Sequence, residues 1–266
     1  MIVFEIGAGT GLLAMLAARA GAAHVYSCER RADVAEAARA IIAHNSLSDR
    51  ITVIAKDAHD LRLGEDLPQR ADLFVAEIVD NSLLGEQVLP LTELARARFL
   101  TPDAILLPRT VSAMGALVSG HGHWQDYRMD QVMGFDLSPF NRFTPVEINA
   151  GKGGGELELL TEAVELARFD LHQDAPAEAR HEVHLIAQQA GRAEALLRWL
   201  QLDFGDGITF ENRPPQRSSW DPHLHLLPEA RWLDAGAVCA MTVSHNRERL
   251  FLWPSEPSER DDPSVG

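Results

Sequence analysis

Two glutamates stand nine residues apart in VAEIVDNSLLGEQVLP (residues 75–90). Glu77 closes the strand-like run ADLFVAE, and Glu86 follows a short polar turn. Like charges in an apolar setting repel and are costly to desolvate, so a cation belongs between them. A second cluster lies upstream. Glu5-Ile6-Gly7-Ala8-Gly9-Thr10-Gly11 places glycines at i, i+2 and i+4 between a strand-like run and a helical one. Glycine permits a tight turn and lets a ligand approach the backbone closely. The spacing departs from the G-x-G-x-x-G of dinucleotide sites. Glu29 ends the next strand-like run, 22 residues after Gly7, where a carboxylate can accept hydrogen bonds from ribose hydroxyls. Asp57 and Ala58 end the third run, where a side chain and a backbone N–H could read an adenine edge.

The elements that must position these groups alternate. IVFEI reads as a strand and LLAMLAARA as a helix, with Gly21 suited to its C-terminal end. HVYSCE reads as a strand, ADVAEAARAIIAHN as a helix, and ITVIAKD and ADLFVAEI as two further strands. Glu93 to Phe99 reads as a helix that Pro102 stops. This alternation predicts a parallel, Rossmann-like α/β domain over residues 1–108. After Pro108 the pattern changes to strand-like segments: TVSAMGALVSG, EVHLIAQQA, ALLRWLQLDF, AVCAMTVSHN and RLFLW. GKGGG, DFGDG and ENRPPQ separate several of them as turns. A mostly β domain is expected over 109–256, with a polar, proline-rich and disordered tail over 257–266.

The bulk numbers exclude several classes of function. The chain has 266 residues and is 46% hydrophobic, enough for one large domain or two modest ones. Its 39 acidic residues against 24 basic ones give a formal charge of -15. Nucleic acid and anionic membrane prefer basic surfaces, so neither is an expected partner, whereas a cationic partner is. Cys28 and Cys239 are far apart in sequence and form no CxxC pair, which points to a reducing, cytoplasmic compartment without disulfides. No apolar run reaches the ~18 residues of a membrane span, and the chain opens directly on a strand with no signal-peptide pattern. His121-x-His123 and His223-x-His225 lack acidic or thiol partners at usual zinc spacing. They are expected to be structural or surface histidines, and no metal is expected.

Taken together, the features at the three strand ends resemble the S-adenosylmethionine site of class I methyltransferases. With the glutamate pair added, the sequence resembles the protein arginine methyltransferases. VFEIGAGTGLLAMLAARAGAAHVYSCE resembles that family's first two motifs, and DRITVI its third strand. AEIVDNSLLGE resembles the family's two-glutamate hairpin, in the form of the monomethylating (type III) branch. HGHWQDYRMDQVMGFDLSPFNRF, within an arm-like segment at about 119–143, resembles the dimerisation arm and the segment after it. SSWDPHLHLLP resembles the Thr-His-Trp loop, and MTVSHN a late barrel strand.

The resemblance implies a Rossmann-like methyltransferase domain followed by a β-barrel-like domain that binds substrate and dimerises. It implies S-adenosylmethionine as methyl donor, with Glu5, Gly7, Gly9, Gly11, Glu29, Asp57 and Ala58 on the cofactor. It implies Glu77 and Glu86 as the catalytic clamp on a protein arginine, Trp220 packed near that clamp on the substrate side, a basic substrate protein and a homodimer. Three departures stand out. No helices corresponding to the family's cofactor lid precede the first strand. Ser219 occupies the histidine position of the Thr-His-Trp loop, and His59 stands where many relatives carry an acid. Two other readings stay open at this stage: a class I methyltransferase acting on another nucleophile, and a catalytically inactive relative that binds a partner.

Overall fold

The computed structural model describes residues 1–120, 123–151 and 157–255, so the tail expected over 257–266 lies outside the described residues. The chain forms two compact units. The first comprises Met1–Val111 with Phe169–Pro176 and Leu202–Phe210, so two later segments join it that a division after Pro108 leaves out.

In the first unit, β1 (Ile2–Ile6), β2 (His24–Cys28), β3 (Ile51–Ile54), β4 (Ala71–Ala76) and β5 (Leu100–Leu107) form one parallel sheet in the order β3-β2-β1-β4-β5. The helices α1 (Leu12–Arg19), α2 (Ala32–His44) and α3 (Val88–Arg98) are the crossovers that parallel strands require. β1 is central and, apart from half-buried Ile2, fully buried, as an apolar run flanked on both edges must be. The strand order reverses between β2 and β4 around β1, and ligands of open α/β sheets bind at the carboxyl ends beside such a switch point.

Small side chains let the helices approach the sheet. Ala14 and Ala18 of α1 and Ala35, Ala38 and Ile42 of α2 pack with Val3 and Val25. Another cluster is aromatic, with the Phe4 ring 6.0 Å from Phe74 and 5.3 Å from Phe99. α3 starts five residues before Glu93 and ends at Arg98. Pro102 does not interrupt a helix but sits inside β5, a strand not expected from the sequence. β5 is the last strand in the order of its sheet, the position where a residue without an N–H is tolerated.

The second unit is mostly β. A seven-stranded sheet runs in the order β10 (Glu158–Leu159), β6 (Thr110–Ser119), β13 (Gly191–Asp203), β15 (His223–Leu233), β9 (Glu147–Asn149). β11 (Val164–Asp170) pairs with β6, and β14 (Thr209–Glu211) with β13. A three-stranded antiparallel sheet joins β12 (Ala179–Ile186), β16 (Val238–His245) and β17 (Leu250–Pro254). Trp199, on β13, is fully buried among Ala116, Leu197 and Leu224. HLHLLP, expected to lie in a loop, is the first half of β15. In the arm-like segment, α4 (His123–Asp126) precedes a two-stranded hairpin, β7 (Gln131–Val132) and β8 (Phe135–Asp136). Its two-residue turn, Met133-Gly134, has both φ values positive, as a tight hairpin turn demands.

Phe4 is fully buried in the aromatic cluster, whereas Leu12 is 56% exposed at the start of α1. Phe4→Ala is expected to destabilise the first unit by about 3–5 kcal/mol. Leu12→Ala is expected to stay within about 0.5 kcal/mol. Chemical denaturation of the two variants checks the contrast.

Candidate functional site

The glycine turn leaves β1 and folds onto the end of β2. The amides of Gly7 and Ala8 both donate to the Cys28 carbonyl, at 2.9 and 3.0 Å, and Gly11 N–H donates to the Ala8 carbonyl at 2.7 Å. Gly7, Gly9 and Gly11 all have positive φ, of 88°, 51° and 79°. Glycine is required there by backbone conformation. A side chain on Gly11 would also press on Ile42, whereas a Cβ on Gly9 would meet nothing within 4 Å. Gly7, Gly9 and Thr10 face open space.

One carboxylate bonds this turn, and a second lies buried in the strand that leads into it. Glu29, one residue past β2, accepts from Gly9 N–H at 3.2 Å and from Arg31 N–H at 3.0 Å. Glu5, inside β1, is fully buried and accepts the hydroxyl of Ser27, its register partner on β2. Its Oε1 has no hydrogen-bond partner among the described residues. Burial pushes the Glu5 pKa up to about 7, with a smaller push from the Glu29 charge, while the Ser27 hydroxyl and the Ala14 amide pull it down. Asp57, three residues past β3, caps a single 3-10 turn over Ala58–Asp60. It accepts from His59 N–H at 3.0 Å and bonds the His59 ring at 2.8 Å. The His59 amide, then its ring, hold Asp57 below the usual carboxylate range. Ala58 is buried behind it.

β4 ends at Ala76, so Glu77 stands one residue beyond the strand rather than inside it. From there to α3 the chain makes the hairpin. Ile78, Val79, Leu83 and Leu84 are buried anchors, while Glu77 and Glu86 are exposed at its two ends. A Cβ on Gly7 would lie 3.4 Å from Ile78 Cγ2, so the glycine turn and the hairpin adjoin. The Glu77 pKa is raised, first by desolvation and then by the negative charge of Glu86. Neither glutamate forms an ion pair with a described residue. The cation expected between them is thus not supplied by the described part of the chain.

Trp220 lies in the second unit, half-buried, in a loop tied by Ser218. The Ser218 hydroxyl donates to the Trp220 carbonyl at 2.7 Å and accepts from Trp220 N–H at 3.1 Å. Asn212 donates to the same carbonyl at 3.1 Å, and Ser219 is exposed. His223 and His225 belong to β15. His223 bonds Glu147 at 2.7 Å, and the buried Arg198 guanidinium pairs with the same carboxylate. Burial pushes the His225 pKa down to about 4, leaving it neutral near pH 7. No group of three metal-ligating side chains occurs among the described residues. His121 lies outside the described residues, as does the side chain of His123. Three features were not read from the sequence: Ser27 beneath Glu5, the Glu147–Arg198–His223 network, and Asp80 as a strap inside the hairpin. Only Asp80 left a local signal, since Asp-x-Ser favours a side-chain-closed turn.

Comparison with known proteins places this geometry. The family described as ribosomal protein L11 methyltransferase matches residues 1–94, which cover β1 to β4, the glycine turn and the hairpin. An arginine N(omega)-methyltransferase of Streptomyces achromogenes subsp. streptozoticus is 39% identical over 224 residues, covering 82% of this chain and 61% of that protein. Protein arginine N-methyltransferase 7 of Drosophila ananassae is 30% identical over 292 residues, covering 94% of this chain and 42% of that protein. The chain is thus similar to these two arginine methyltransferases over most of its own length. The fold agrees with theirs. An enzyme–prozyme complex of PRMT1 from Trypanosoma brucei, solved with AdoHcy, superposes with a TM-score of 0.82 at 23% identity, covering 97% of this chain and 85% of that one. Arabidopsis thaliana protein arginine methyltransferase 10 gives 0.74 at 18%, covering 91% and 78%. Against the two curated arginine methyltransferases, the chain spans about three fifths and two fifths of their length.

The buried Glu5 sets a pH dependence whose sign follows from its pKa. Its folded pKa lies above its unfolded value of 4.5. The folded state therefore holds the proton more tightly, and stability falls as pH rises from about 4.5 through 7. The full effect is on the order of 3 kcal/mol. Glu5→Gln removes it, so the stability of that variant relative to wild type is expected to climb across this window. Urea denaturation at pH 4.5, 6 and 7.5 checks it, and a constant difference contradicts the assignment.

Proposed function

We propose that the chain transfers a methyl group from S-adenosylmethionine to a guanidinium nitrogen of protein arginine. The observation that carries the reading is the Glu77–Glu86 pair, two like charges on one hairpin with no ion-pair partner among the described residues. Guanidinium is a planar cation with five donors, always charged near neutral pH, and suited to charge-assisted bonds with two carboxylates.

The residues present fit the methyl donor. Gly7 and Gly9 are exposed, and a Cβ on Gly9 would meet nothing within 4 Å, so a group can lie on the backbone there. Glu29 uses each carboxylate oxygen for one backbone amide, leaving lone pairs for ribose hydroxyls. Asp57 and the Ala58 amide would face the adenine edge. Glu5, buried under the turn, would act by bracing the glycine backbone. Bound there, S-adenosylmethionine supplies a sulfonium methyl as electrophile.

The rest is the work of the hairpin. Glu77 and Glu86 hold the guanidinium by two of its nitrogens and draw its positive charge toward themselves. The remaining terminal nitrogen keeps more electron density and is the nucleophile. It would take the methyl as the carbon–sulfur bond breaks, and S-adenosylhomocysteine would leave with the bonding pair on sulfur. The methylated nitrogen would lose one proton to a clamp carboxylate or to water. Catalysis is then orientation and electrostatics, with no covalent enzyme intermediate. The acidic chain, at -15, suits arginine-rich basic substrates. Because AEIVDNSLLGE resembles the monomethylating branch, monomethylarginine is the product to look for first. Trp220 is read as a substrate-side residue. A cytoplasmic location suits two buried free thiols.

A homodimer is the proposed assembly, with the arm as its contact. Met133 is 94% exposed and Phe135 72%, and Phe143 and Val146 are exposed nearby. Apolar side chains gathered so openly mark an interface. Phe135→Asp with Met133→Asp is expected to halve the molecular mass measured by light scattering.

The function is tested by labelled methyl transfer to an arginine-rich peptide, followed by acid hydrolysis to identify the product. Glu77→Gln and Glu86→Gln are each expected to lower kcat/KM by about 100-fold or more. Affinity for S-adenosylhomocysteine is expected to stay within about threefold, since neither carboxylate belongs to the cofactor cradle. Label recovered on another side chain would select the reading of a different nucleophile. Failure of the wild-type chain to bind S-adenosylhomocysteine would select the non-catalytic one.

A further inference from the structure

Between the two glutamates the hairpin is tied by a single side chain. Asp80 Oδ1 accepts from Ser82 N–H at 3.1 Å, from the Ser82 hydroxyl at 2.8 Å and from Gly85 N–H at 3.0 Å. Oδ2 accepts from the Ser82 hydroxyl at 2.7 Å. The Asp80 carbonyl takes Leu83 N–H at 2.9 Å. Leu83 is held at φ +80°, where leucine rarely sits, with its side chain fully buried. Gly85 reaches the carboxylate only because it lacks a Cβ, which would lie 2.2 Å from Asp80 Oδ2 and 3.0 Å from Ser82 Oγ. Glu86 is the next residue.

We infer that Asp80 is a positioning residue that fixes the spacing of Glu77 and Glu86 by strapping Gly85 to the start of the hairpin. The inference rests on reading those glutamates as a guanidinium clamp. Asp80 lies three residues after Glu77, and its far bond ends one residue before Glu86, so the strap spans the interval between them. Its Oδ1 is filled by donors of the loop itself, and its charge is spent inside the hairpin rather than on the substrate. Gly85 is the complementary half, a residue whose missing side chain leaves room for the carboxylate.

The test is methyl transfer to an arginine peptide by Asp80→Ala, Asp80→Asn, Gly85→Ala and the double variant Asp80→Ala/Gly85→Ala. Hydrogen exchange at the Gly85 amide is measured alongside. A misplaced reacting group loses roughly 100-fold, so kcat/KM of Asp80→Ala is expected to fall by about that factor, through both kcat and KM. Affinity for S-adenosylhomocysteine is expected to stay unchanged. Asp80→Asn keeps one acceptor oxygen and is expected to stay within about fivefold of wild type, with Gly85 still protected. Gly85→Ala is expected to behave like Asp80→Ala, and the double variant no worse than either, since both break one strap.

A charge acting on the substrate would make Asp80→Asn as impaired as Asp80→Ala, and that result overturns the inference. Additive losses in the double variant overturn it as well. If the wild type methylates arginine and Asp80→Ala does so equally well, this inference alone falls. If the wild type methylates no arginine, the clamp reading falls first and this inference with it.

Discussion

The constraint on which the first unit depends is electrostatic: Glu77 and Glu86 must be held on one short hairpin although they repel. The Glu77 pKa is raised by desolvation and by the charge of Glu86, so the repulsion is felt in the folded state. Side-chain attraction from the described part of the chain does not offset it. What resists it is packing. Ile78, Val79, Leu83 and Leu84 are buried between the two charges, and each buried aliphatic side chain contributes about 1.5–3 kcal/mol of burial. That exceeds the ~1 kcal/mol of two unit charges at 4 Å in water and is comparable to ~4 kcal/mol at an effective dielectric of 20. The hairpin can therefore hold an arrangement that a guanidinium would relieve.

The same sheet edge carries other carboxylates, and depth separates their roles. Glu5 lies within the buried β1, is bonded to Ser27, and keeps its proton up to about pH 7. Glu29, one residue past its strand and only half-buried, meets Gly9 from the open side. Asp57, three residues past its strand, is held below the usual carboxylate range by His59. A shift of a few residues along a strand thus turns a buried acid that holds its proton into a half-buried acceptor. In the second unit the balance differs, because Glu147 has Arg198 and His223 as partners. Burial works to raise its pKa, and those partners outweigh it and hold it low.

Much of the first unit was legible because its strands are short apolar runs with helices of clear period between them. The glycine turn, Glu29 and the glutamate pair were legible because backbone conformation and charge restrict residue type at those positions. β5 was not, since LTPDAILL contains a proline that reads as a break until the strand is known to be an edge. β15 was not, since HLHLLPEARWL mixes leucines with Pro228, and a short leucine-rich run does not declare helix, strand or loop. The Glu5–Ser27 contact follows from the register of β1 on β2, which no local pattern encodes. The Asp80 strap was half legible: its turn chemistry is local, but its dependence on Gly85 appears only once the loop is closed.

The most direct test of the guanidinium clamp is a carbon-13 titration of the Glu77 and Glu86 carboxylates, with and without an arginine peptide. Glu77 is expected to titrate above the usual glutamate range in the free protein. Bound arginine is expected to bring its pKa down by about one unit or more, because a nearby cation favours the ionised form. A Glu77 pKa that does not move when arginine binds would contradict the guanidinium clamp.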